Sequence, residues 1–320
     1  MVLTITSDGQ KLLTLPLGEE HRGQTVLAVL AASFPSYPEE SFIAACDAGN
    51  VKIDGVVVLS TQLIVAGSRL EYLVPMHNEP EVDSRIEIMY EDEHFAVINK
   101  PSNLPCHPSG RYFKNTLIEI LKSNHGFSDA YMVNRLDRET SGVVIVAKSQ
   151  ESASLLGKTL MEQGFEKCYL VKVVGAWRHS SVYLAKGWIW LERGEIVRKK
   201  RVFSETEQRG QKCITELRLI STDGKHSIIE ATPITGRPHQ IRATMKALGY
   251  PVVGDKLYGV DETIYARMAE NRMTAEDWER LELPCQALHS WRTSFINPYT
   301  GLRMNFEAKY QPTFILGQTQ

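Results

Sequence analysis

The spacing of apolar and polar residues divides the chain into two parts, separated by a polar, proline-containing stretch at residues 74–84. In the first part, apolar residues at helical spacing predict a helix. Its inward face carries Val26, Leu27, Leu30 and Phe34. A second short helix is expected to begin at residue 38 and to run through residue 43, and Gly49 follows it. The β-rich runs around Asp54-Gly55 predict a hairpin, and residues 66–74 one more strand. We expect two short helices followed by a small sheet.

The second part mixes strand-like and helix-like segments. Residues 86–101 (IEIMYEDEHFAVINKP) predict a hairpin, whereas Asn115 and Ser149 are each expected to begin a helix that a glycine ends. Further strands are expected in VVIVA (143–147), CYLVKVVG (168–175) and HSIIEATPI (226–234), and two acidic helices in a peripheral insertion at residues 260–284. Helices and strands do not alternate as repeated βαβ units, which favours an α+β fold over a doubly wound sheet.

Charge is distributed unevenly along the chain. The 320 residues are 43% hydrophobic and 23% charged, with a formal net charge of -2. Residues 1–80 contain four Lys/Arg and nine Asp/Glu, a net of -5, so the rest of the chain carries +3. The positive field therefore lies in the C-terminal part.

Nothing in the sequence predicts export or membrane insertion. The N-terminal residues MVLTITSDGQK lack the features of a signal peptide, and the longest apolar run is too short to span a bilayer. The five cysteines are widely scattered, without the short spacing of a zinc or redox motif, and are expected to be reduced. We expect a cytoplasmic protein.

Several catalytic motifs are missing from the sequence, including HExxH, GxxxxGK[ST], GxSxG and a GxGxxG after a strand. The nine histidines do not cluster at metal-ligand spacings. We therefore expect no metal and no cofactor.

The segment NRLDRETSG (134–142) is the first candidate for chemistry. Asp137 lies between Arg135 and Arg138, and a surface carboxylate paired with one of them is the better interpretation of an isolated aspartate. The segment is also a polar loop that leads into an apolar strand, where catalytic residues concentrate. Tyr169, in EKCYLVKVVG, is open to two interpretations as well, a half-buried core tyrosine or a functional one.

The third candidate is the segment PITGRPHQIRATMKALGYPVVGDKLYG, which begins at residue 233. Thr235 or Gly236 is expected to cap a helix. A cationic face then carries His239, Arg242 and Lys246, and Arg237 lies at the helix N-terminus, where backbone N–H groups favour an anion. A solvated basic helix is the alternative to a phosphate-rich ligand.

More weakly, a basic run at residues 198–201 is typical of a surface that follows a nucleic-acid backbone. Arg193, Arg209 and Lys212 lie near it in the sequence. Charge runs are more often simply solvated.

Together these segments resemble the RluA-type family of RNA pseudouridine synthases. The resemblance lies in NRLDRETSGVVIVAK (134–148), EKCYLVKVVG (166–175), TGRPHQIRATMKALGYPVVGDKLYG (235–259) and ALHSWRTSFINPYTG (287–301). The lead-in VINKPSNLPCHPSGRYFKNTL (97–117) is similar to the eukaryotic-type tRNA branch and its bacterial relatives. Residues 1–83 resemble an S4-like RNA-binding domain with a linker, although they are acidic. Asn134 stands where the family commonly has His.

The resemblance implies a catalytic domain at residues 84–320, with a mixed, largely antiparallel β-sheet flanked by helices. It implies isomerisation of uridine to pseudouridine in structured RNA, tRNA ahead of rRNA, by a monomer without a cofactor. Asp137 would be the catalytic group, Arg242 its partner and Tyr169 the platform for the base. Arg135 would fill the gap left by the flipped nucleotide. The remaining implied RNA-binding residues are Arg237, His239, Gln240 and Lys246.

Two rival functions remain at this point. One is a non-catalytic RNA-binding or RNA-chaperone protein with the same fold, against which Asp137, Tyr169 and Arg242 argue. The other is a different nucleotide chemistry such as deamination, which lacks its metal-ligand cluster in this sequence.

Overall fold

The computed structural model describes residues 2–5, 11–34, 39–74, 79–109, 112–162, 164–179, 181–192, 200–269 and 272–309. The chain forms two compact units. The first comprises Met1–Pro80 and Gly110–Tyr112, and the second Glu81–Ser109 and Phe113–Gln320. The S4-like character of the first unit stays a prediction.

The first unit contains two helices and a five-stranded sheet. The strands are β1 (Val2–Ile5), β2 (Lys11–Pro16), β3 (Val51–Ile53), β4 (Val56–Val57) and β5 (Arg69–Val74), in the order β1-β2-β5-β3-β4. The helices are α1 (Val26–Ser33) and α2 (Glu39–Asp47). The hairpin at Asp54-Gly55 is confirmed, with φ of 48° and 81°. The predicted order of elements was wrong, because two strands precede the helices.

The core of the first unit lies between the two helices and the sheet. Val26 and Leu30 of α1 and Phe42 of α2 are buried against Leu70 and Tyr72 of β5. The apolar spacing that predicted α1 thus marks the face that packs on the sheet.

The second unit is built on one large sheet. Its strands are β6 (Glu87–Glu91), β7 (Phe95–Lys100), β8 (Tyr131–Met132), β9 (Ser141–Ala147), β10 (Glu166–Val174), β11 (Val182–Leu191), β12 (Arg201–Ser204), β13 (Gln211–Thr222), β14 (His226–Pro233), β15 (Leu288–Ile296) and β16 (Arg303–Glu307). The order is β12-β11-β13-β14-β10-β15-β9-β7-β6, with β16 beside β15 and β8 beside β9. Among the pairings of described strands, only β9 with β15 is parallel. The predicted α+β fold with a mixed, largely antiparallel sheet is confirmed.

Five helices accompany this sheet in the described part of the unit. They are α3 (Leu117–Asn124), α4 (Gln150–Glu162), α5 (Gln240–Ala247), α6 (Thr263–Ala269) and α7 (Ala275–Leu281). No helix among the described residues is both long and apolar enough to cross a membrane. The two helices predicted within residues 260–284 are confirmed as α6 and α7.

Two predicted helix starts were displaced. Thr116, not Asn115, caps α3, because the Thr116 hydroxyl accepts a hydrogen bond from the Glu119 N–H at 3.4 Å. Helix α5 begins at Gln240, several residues after Thr235, because His239 adopts a left-handed conformation with φ of 56°. Strands β11 to β13 had no counterpart among the predicted elements.

Strand β15 brings the motifs of the two flanking strands together. Ser290 of β15 lies opposite Tyr169 of β10 in antiparallel register and opposite Gly142 of β9 in parallel register. Gly142 has a φ of 105°, and a Cβ there would overlap the carbonyl oxygen of Ser290. Glycine is therefore required for β9 to approach β15 this closely. The register places the turn before β9 near Tyr169.

Candidate active site

The turn that carries Asp137 is held by one hydrogen bond to the sheet and by one within the turn itself. The Asn134 side-chain oxygen accepts from the Ile145 N–H at 2.8 Å, which continues the ladder between β8 and β9. The Thr140 N–H donates to the Asp137 carbonyl at 3.1 Å and closes the turn. Asn134 therefore supports the turn geometry through its own side chain.

A second set of polar contacts fixes the residues after Asp137. Glu139 accepts hydrogen bonds from Arg138 at 2.7 Å and from Lys256 at 2.8 Å. Gln286 donates through its side chain to the Thr140 hydroxyl at 2.6 Å. Arg138 is thus engaged by its neighbour Glu139 rather than by Asp137.

The buried ammonium of Lys100 stabilises the turn by donating hydrogen bonds to backbone carbonyl oxygens. It donates to the carbonyl oxygens of Pro101 at 2.9 Å, Leu104 at 2.8 Å and Arg138 at 3.2 Å. Burial lowers the pKa of Lys100 to about 8. The lysine ties the start of the loop after β7 to the backbone directly after Asp137.

Asp137 pairs with a residue from a different part of the chain, Arg242 of α5. Arg242 Nη1 donates to Asp137 Oδ2 at 2.7 Å, across 105 positions of sequence. The same guanidinium donates through Nε and Nη2 to the two oxygens of Asp255, at 2.7 and 2.8 Å. Such a fork-to-fork pair fixes the plane of the guanidinium. The ion pair with Arg135 or Arg138 that sequence alone favoured is not formed.

Asp255 is the fixed end of this network. Its side chain is fully buried, and Oδ1 also accepts from the N–H groups of Leu257 and Tyr258, both at 2.9 Å. Burial acts to raise the pKa of Asp255, but the charge and hydrogen bonds of Arg242 and the backbone donors bring it below its usual range. Arg242 therefore has a permanent anionic partner and still reaches Asp137.

The Asp137 carboxylate is held ionised and remains accessible. Burial acts to raise the pKa of Asp137, but the charges of Arg242 and His239 outweigh it, and the pKa lies below its usual range. The Asp137 side chain is 35% exposed, whereas that of Asp255 is 0% exposed. Of the two carboxylates on Arg242, only Asp137 is open to a substrate.

His239 lies on the other oxygen of Asp137. Its Nε2 is 3.7 Å from Asp137 Oδ1, and its Nδ1 is 2.9 Å from the Tyr258 hydroxyl, which also accepts from the Arg201 N–H at 2.8 Å. Burial lowers the pKa of His239, and the Asp137 charge opposes this effect. The left-handed backbone at residue 239 therefore directs the imidazole toward the carboxylate.

Tyr169 faces the same region from β10. Burial raises the pKa of Tyr169 to about 12, Ser290 opposes the shift through a hydrogen bond, and the Asp137 charge adds to it. Tyr169 belongs to the same buried apolar cluster as Leu136, the residue before Asp137. The phenol is protonated at neutral pH, so the ring offers an apolar face and a hydroxyl rather than an anion.

Comparisons with known proteins identify one family. The RNA pseudouridylate synthase family profile matches residues 94–247. The ribosomal large subunit pseudouridine synthase D of Zymomonas mobilis is 30% identical over 245 residues, which are 73% of this chain and 72% of that protein. This chain belongs to the RNA pseudouridylate synthase family.

Other family members match over shorter parts of their own length. The mitochondrial tRNA pseudouridine(32) synthase of Saccharomyces cerevisiae is 33% identical over 76% of this chain and 52% of its own length. An RNA pseudouridine synthase 7 of rice matches over 60% of its length. The chain thus spans about half to three fifths of these relatives. The solved structure of human RNA pseudouridylate synthase domain containing 1 has the same fold, with a TM-score of 0.57 at 22% identity, over 74% of this chain and 89% of that one.

The remaining residues that the sequence predicts to bind RNA occupy different environments. Arg135 is exposed at the start of the turn and makes no ion pair with another described residue. Lys246 donates to the Gly259 carbonyl at 2.8 Å and lies 3.8 Å from Glu262. Arg237 Nε donates to the Lys212 carbonyl at 3.3 Å. Their roles in RNA binding stay predictions.

Gln240 is engaged entirely within the protein. Its Oε1 accepts from the Thr235 hydroxyl at 2.8 Å and the Arg237 N–H at 3.0 Å. Its Nε2 donates to Ile214 and Thr215, both at 2.9 Å. Since no amide hydrogen is left for a ligand, any contribution of Gln240 to RNA binding passes through the loop that it shapes.

Sequence reasoning overlooked several residues of the site. They are Lys100, Glu139, Asp255, Lys256, Tyr258 and Gln286. Asp255 and Tyr258 belong to the segment GDKLYG, which follows α5. The sequence indicated no role for either residue. An aspartate that follows an arginine-bearing helix in the sequence is a signal for an ion pair. Only the folded chain shows that the pair forms. Of the predicted basic run, residues 193 and 198–199 lie outside the described residues.

Proposed function

We propose that this protein isomerises uridine to pseudouridine in structured RNA, with tRNA as the first candidate and rRNA as the next. The observation that carries the proposal is the Asp137 carboxylate. It is ionised, partly exposed and oriented by Arg242, which Asp255 holds in turn. The names of the relatives, which include tRNA and ribosomal RNA pseudouridine synthases, support this reaction and these substrates.

The reaction is an isomerisation, so no group is lost from the RNA. The bond from N1 of uracil to the ribose breaks, the base turns, and a bond from carbon 5 to the same ribose carbon forms. The proton on carbon 5 leaves to solvent, and N1 gains one. Asp137 serves as the catalytic group, either by attack on the sugar or pyrimidine ring or by assisting glycal formation.

Arg242 and Tyr169 supply what the carboxylate alone lacks. Arg242 keeps Asp137 anionic and fixes its direction, so that it is oriented before the substrate arrives. Tyr169 offers a buried aromatic ring on which the released base can stack. With a pKa of about 12, its phenol keeps its proton at neutral pH.

Access to the uridine requires the base to leave its stack. The exposed Arg135 guanidinium lies two residues before Asp137 on the same turn, a suitable place from which to fill the gap left by the flipped nucleotide. Uridines in loops of a stem-loop are the expected targets, because unstacked bases there are the least costly to expose.

The test is tritium release from RNA that carries uridine labelled at carbon 5. Wild-type protein is expected to release tritium from tRNA, and Asp137→Asn to reduce release at least about 1,000-fold, because the nucleophile is removed while the shape is kept. Asp129→Asn is the matched control, since Asp129 is exposed and lies outside the site. Equal release by wild type and Asp137→Asn would contradict the assignment. Binding without release from tRNA or rRNA would favour a non-catalytic RNA-binding protein.

The organisation around this reaction is also proposed. The first unit would contribute to RNA binding as an S4-like domain, despite its net charge of -5 over residues 1–80. A monomer in the cytoplasm is the expected form. Measuring tRNA affinity of the full chain against a chain in which the acidic residues of the first unit are neutralised tests that contribution.

A further inference from the structure

We propose that Lys167 binds a phosphate of the RNA backbone beside the reacting nucleotide. The identity of the anion rests on the proposed function. Lys167 lies on β10 two residues before Tyr169. The extra residue at the register shift between β10 and β15 is Trp291 of β15, so β10 itself keeps its alternation. Both side chains therefore project from the same face of β10, with Cα atoms about 7 Å apart. On that face Tyr169 joins the buried cluster that includes Leu136, the residue before Asp137.

The ammonium of Lys167 reaches the loop that precedes α5. A Cβ placed on Gly236 would lie 3.7 Å from Lys167 Nζ. The ammonium also lies over the ring of Phe165, 4.8 Å from its centroid. The Lys167 ammonium therefore lies beside the loop at residues 235–238 and over an aromatic ring, and the side chain is only partly buried.

Lys167 differs from the other partly or fully buried lysines that surround the site. Those with oxygen partners within hydrogen-bond distance are Lys100, Lys200, Lys246 and Lys256. The Lys167 ammonium makes no hydrogen bond or ion pair with any residue that the structure describes, and only the backbone of Lys167 is engaged, in the ladder with β15. Burial alone lowers its pKa, and no nearby carboxylate acts against this effect. Its partial desolvation is therefore uncompensated in the free protein.

A phosphate would complete this environment. A bound anion stabilises the charged form of a desolvated lysine, and Lys binds phosphate as a point charge without the planar geometry that Arg imposes. A protein carboxylate at the same place would have formed an ion pair with the ammonium, as Glu139 does with Lys256. Lys167 remains free to act on an external anion.

Two further cations belong to neighbouring segments, Arg237 to the loop before α5 and Lys212 to β13. Arg237 follows Gly236 directly, and its Nε donates to the carbonyl oxygen of Lys212. Neither Arg237 nor Lys212 forms an ion pair among the described residues, and Lys212 is exposed. Three cations on adjoining segments, none of which forms an ion pair among the described residues, are typical of a surface that follows a phosphate backbone. This arrangement favours a polymeric anion over a single small one.

The test is the salt dependence of tRNA binding. Dissociation constants of full-length wild type, Lys167→Met and Lys172→Met for an unmodified tRNA transcript are measured by fluorescence anisotropy across a series of salt concentrations. One lost phosphate contact reduces the slope of log affinity against log salt by about 0.7 to 0.9. Between about 50 and about 200 mM salt, affinity of Lys167→Met should change about threefold less than that of wild type.

Lys172→Met is the matched control, because Lys172 is on the same strand but at odd spacing from Lys167 and so on the opposite face. Its slope should equal that of wild type. Lys167→Arg should restore the slope, since any cation of similar reach releases the counterion. An unchanged slope for Lys167→Met, or an equal loss in Lys172→Met, would overturn the proposal.

Turnover is measured separately, so that failure of the two proposals is distinguishable. At limiting protein, the rate of tritium release by Lys167→Met should fall in proportion to its loss of tRNA affinity, whereas Lys172→Met should release tritium at the wild-type rate. A protein that binds tRNA through Lys167 yet releases no tritium would reject the proposed reaction and retain the phosphate contact. Circular dichroism and the unfolding midpoint establish that the variants are folded.

Discussion

The turn at Asp137 and the loop at residues 235–238 both lie beside charged side chains. They differ in whether the cations there have carboxylate partners. At the turn, Arg242 is shared between two carboxylates. At the loop, Arg237 and the adjoining Lys167 have no carboxylate partner among the described residues. Charges paired inside the protein fix geometry, whereas charges left unpaired are available to an external ligand. The first arrangement suits catalysis and the second suits binding.

The largest expected effect is a difference in the free energy of unfolding between variants of Arg242 and of Arg237. Arg242→Met should destabilise the fold by about 3–5 kcal/mol and abolish tritium release, because it leaves the buried Asp255 without its partner. Arg237→Met should change the free energy of unfolding by less than about 1 kcal/mol, since that residue has no carboxylate partner. Urea unfolding of both variants makes the comparison. Similar losses of stability in the two would show that the loop cations are structural as well.

Gly142, at the start of β9, and Gly236, in the loop before α5, provide a second comparison of stability. Gly142→Ala should destabilise by about 2–4 kcal/mol, because a Cβ would overlap the Ser290 carbonyl and the φ of 105° disfavours L-residues. Gly236→Ala should be nearly neutral for stability, since its Cβ would meet only Lys167 Nζ at 3.7 Å. Thermal unfolding of each variant tests the pair. A stable Gly142→Ala protein would contradict the close approach of β9 to β15.

The smallest expected effect is the response to acid. Asp137 has a folded-state pKa below its unfolded value of about 3.9, so its pairing with Arg242 contributes stability above that pH. This contribution is lost as the pH falls through the folded-state pKa. Tritium release should therefore persist down to about pH 5 without an acid limb from Asp137.

The stability difference between wild type and Asp137→Asn, followed by urea unfolding from pH 7 to pH 3, checks this expectation. It should be constant from pH 7 to about pH 5 and shrink only below that. An acid limb in activity near neutral pH, in a protein that remains folded, would mean that the Asp137 carboxylate is not held by Arg242. Affinity for tRNA through the loop cations should not depend on this titration.

The sequence by itself identified the residues of the catalytic motif and much of the local structure. Apolar spacing predicted α1, the cap at Ser149 predicted α4, and the β-rich runs predicted the two hairpins. These features are local, because a helical face or a hairpin turn is set by residues within a few positions of one another. The motifs around Asp137, Tyr169 and Arg242 could be found for the same reason, since each lies in a short continuous segment.

Only the tertiary structure decided which charges are paired. Sequence alone favoured Arg135 or Arg138 as the partner of Asp137, because neighbours in the chain are close in any conformation. The register of β15 between β9 and β10, together with the left-handed residue at His239, brings Arg242 to Asp137 instead. Asp255 and Lys167 were not recognised, because the presence or absence of a partner for a charge depends on every element that packs around it. Pairing in a folded core is a property of three-dimensional surroundings, and it cannot be read from adjacent residues.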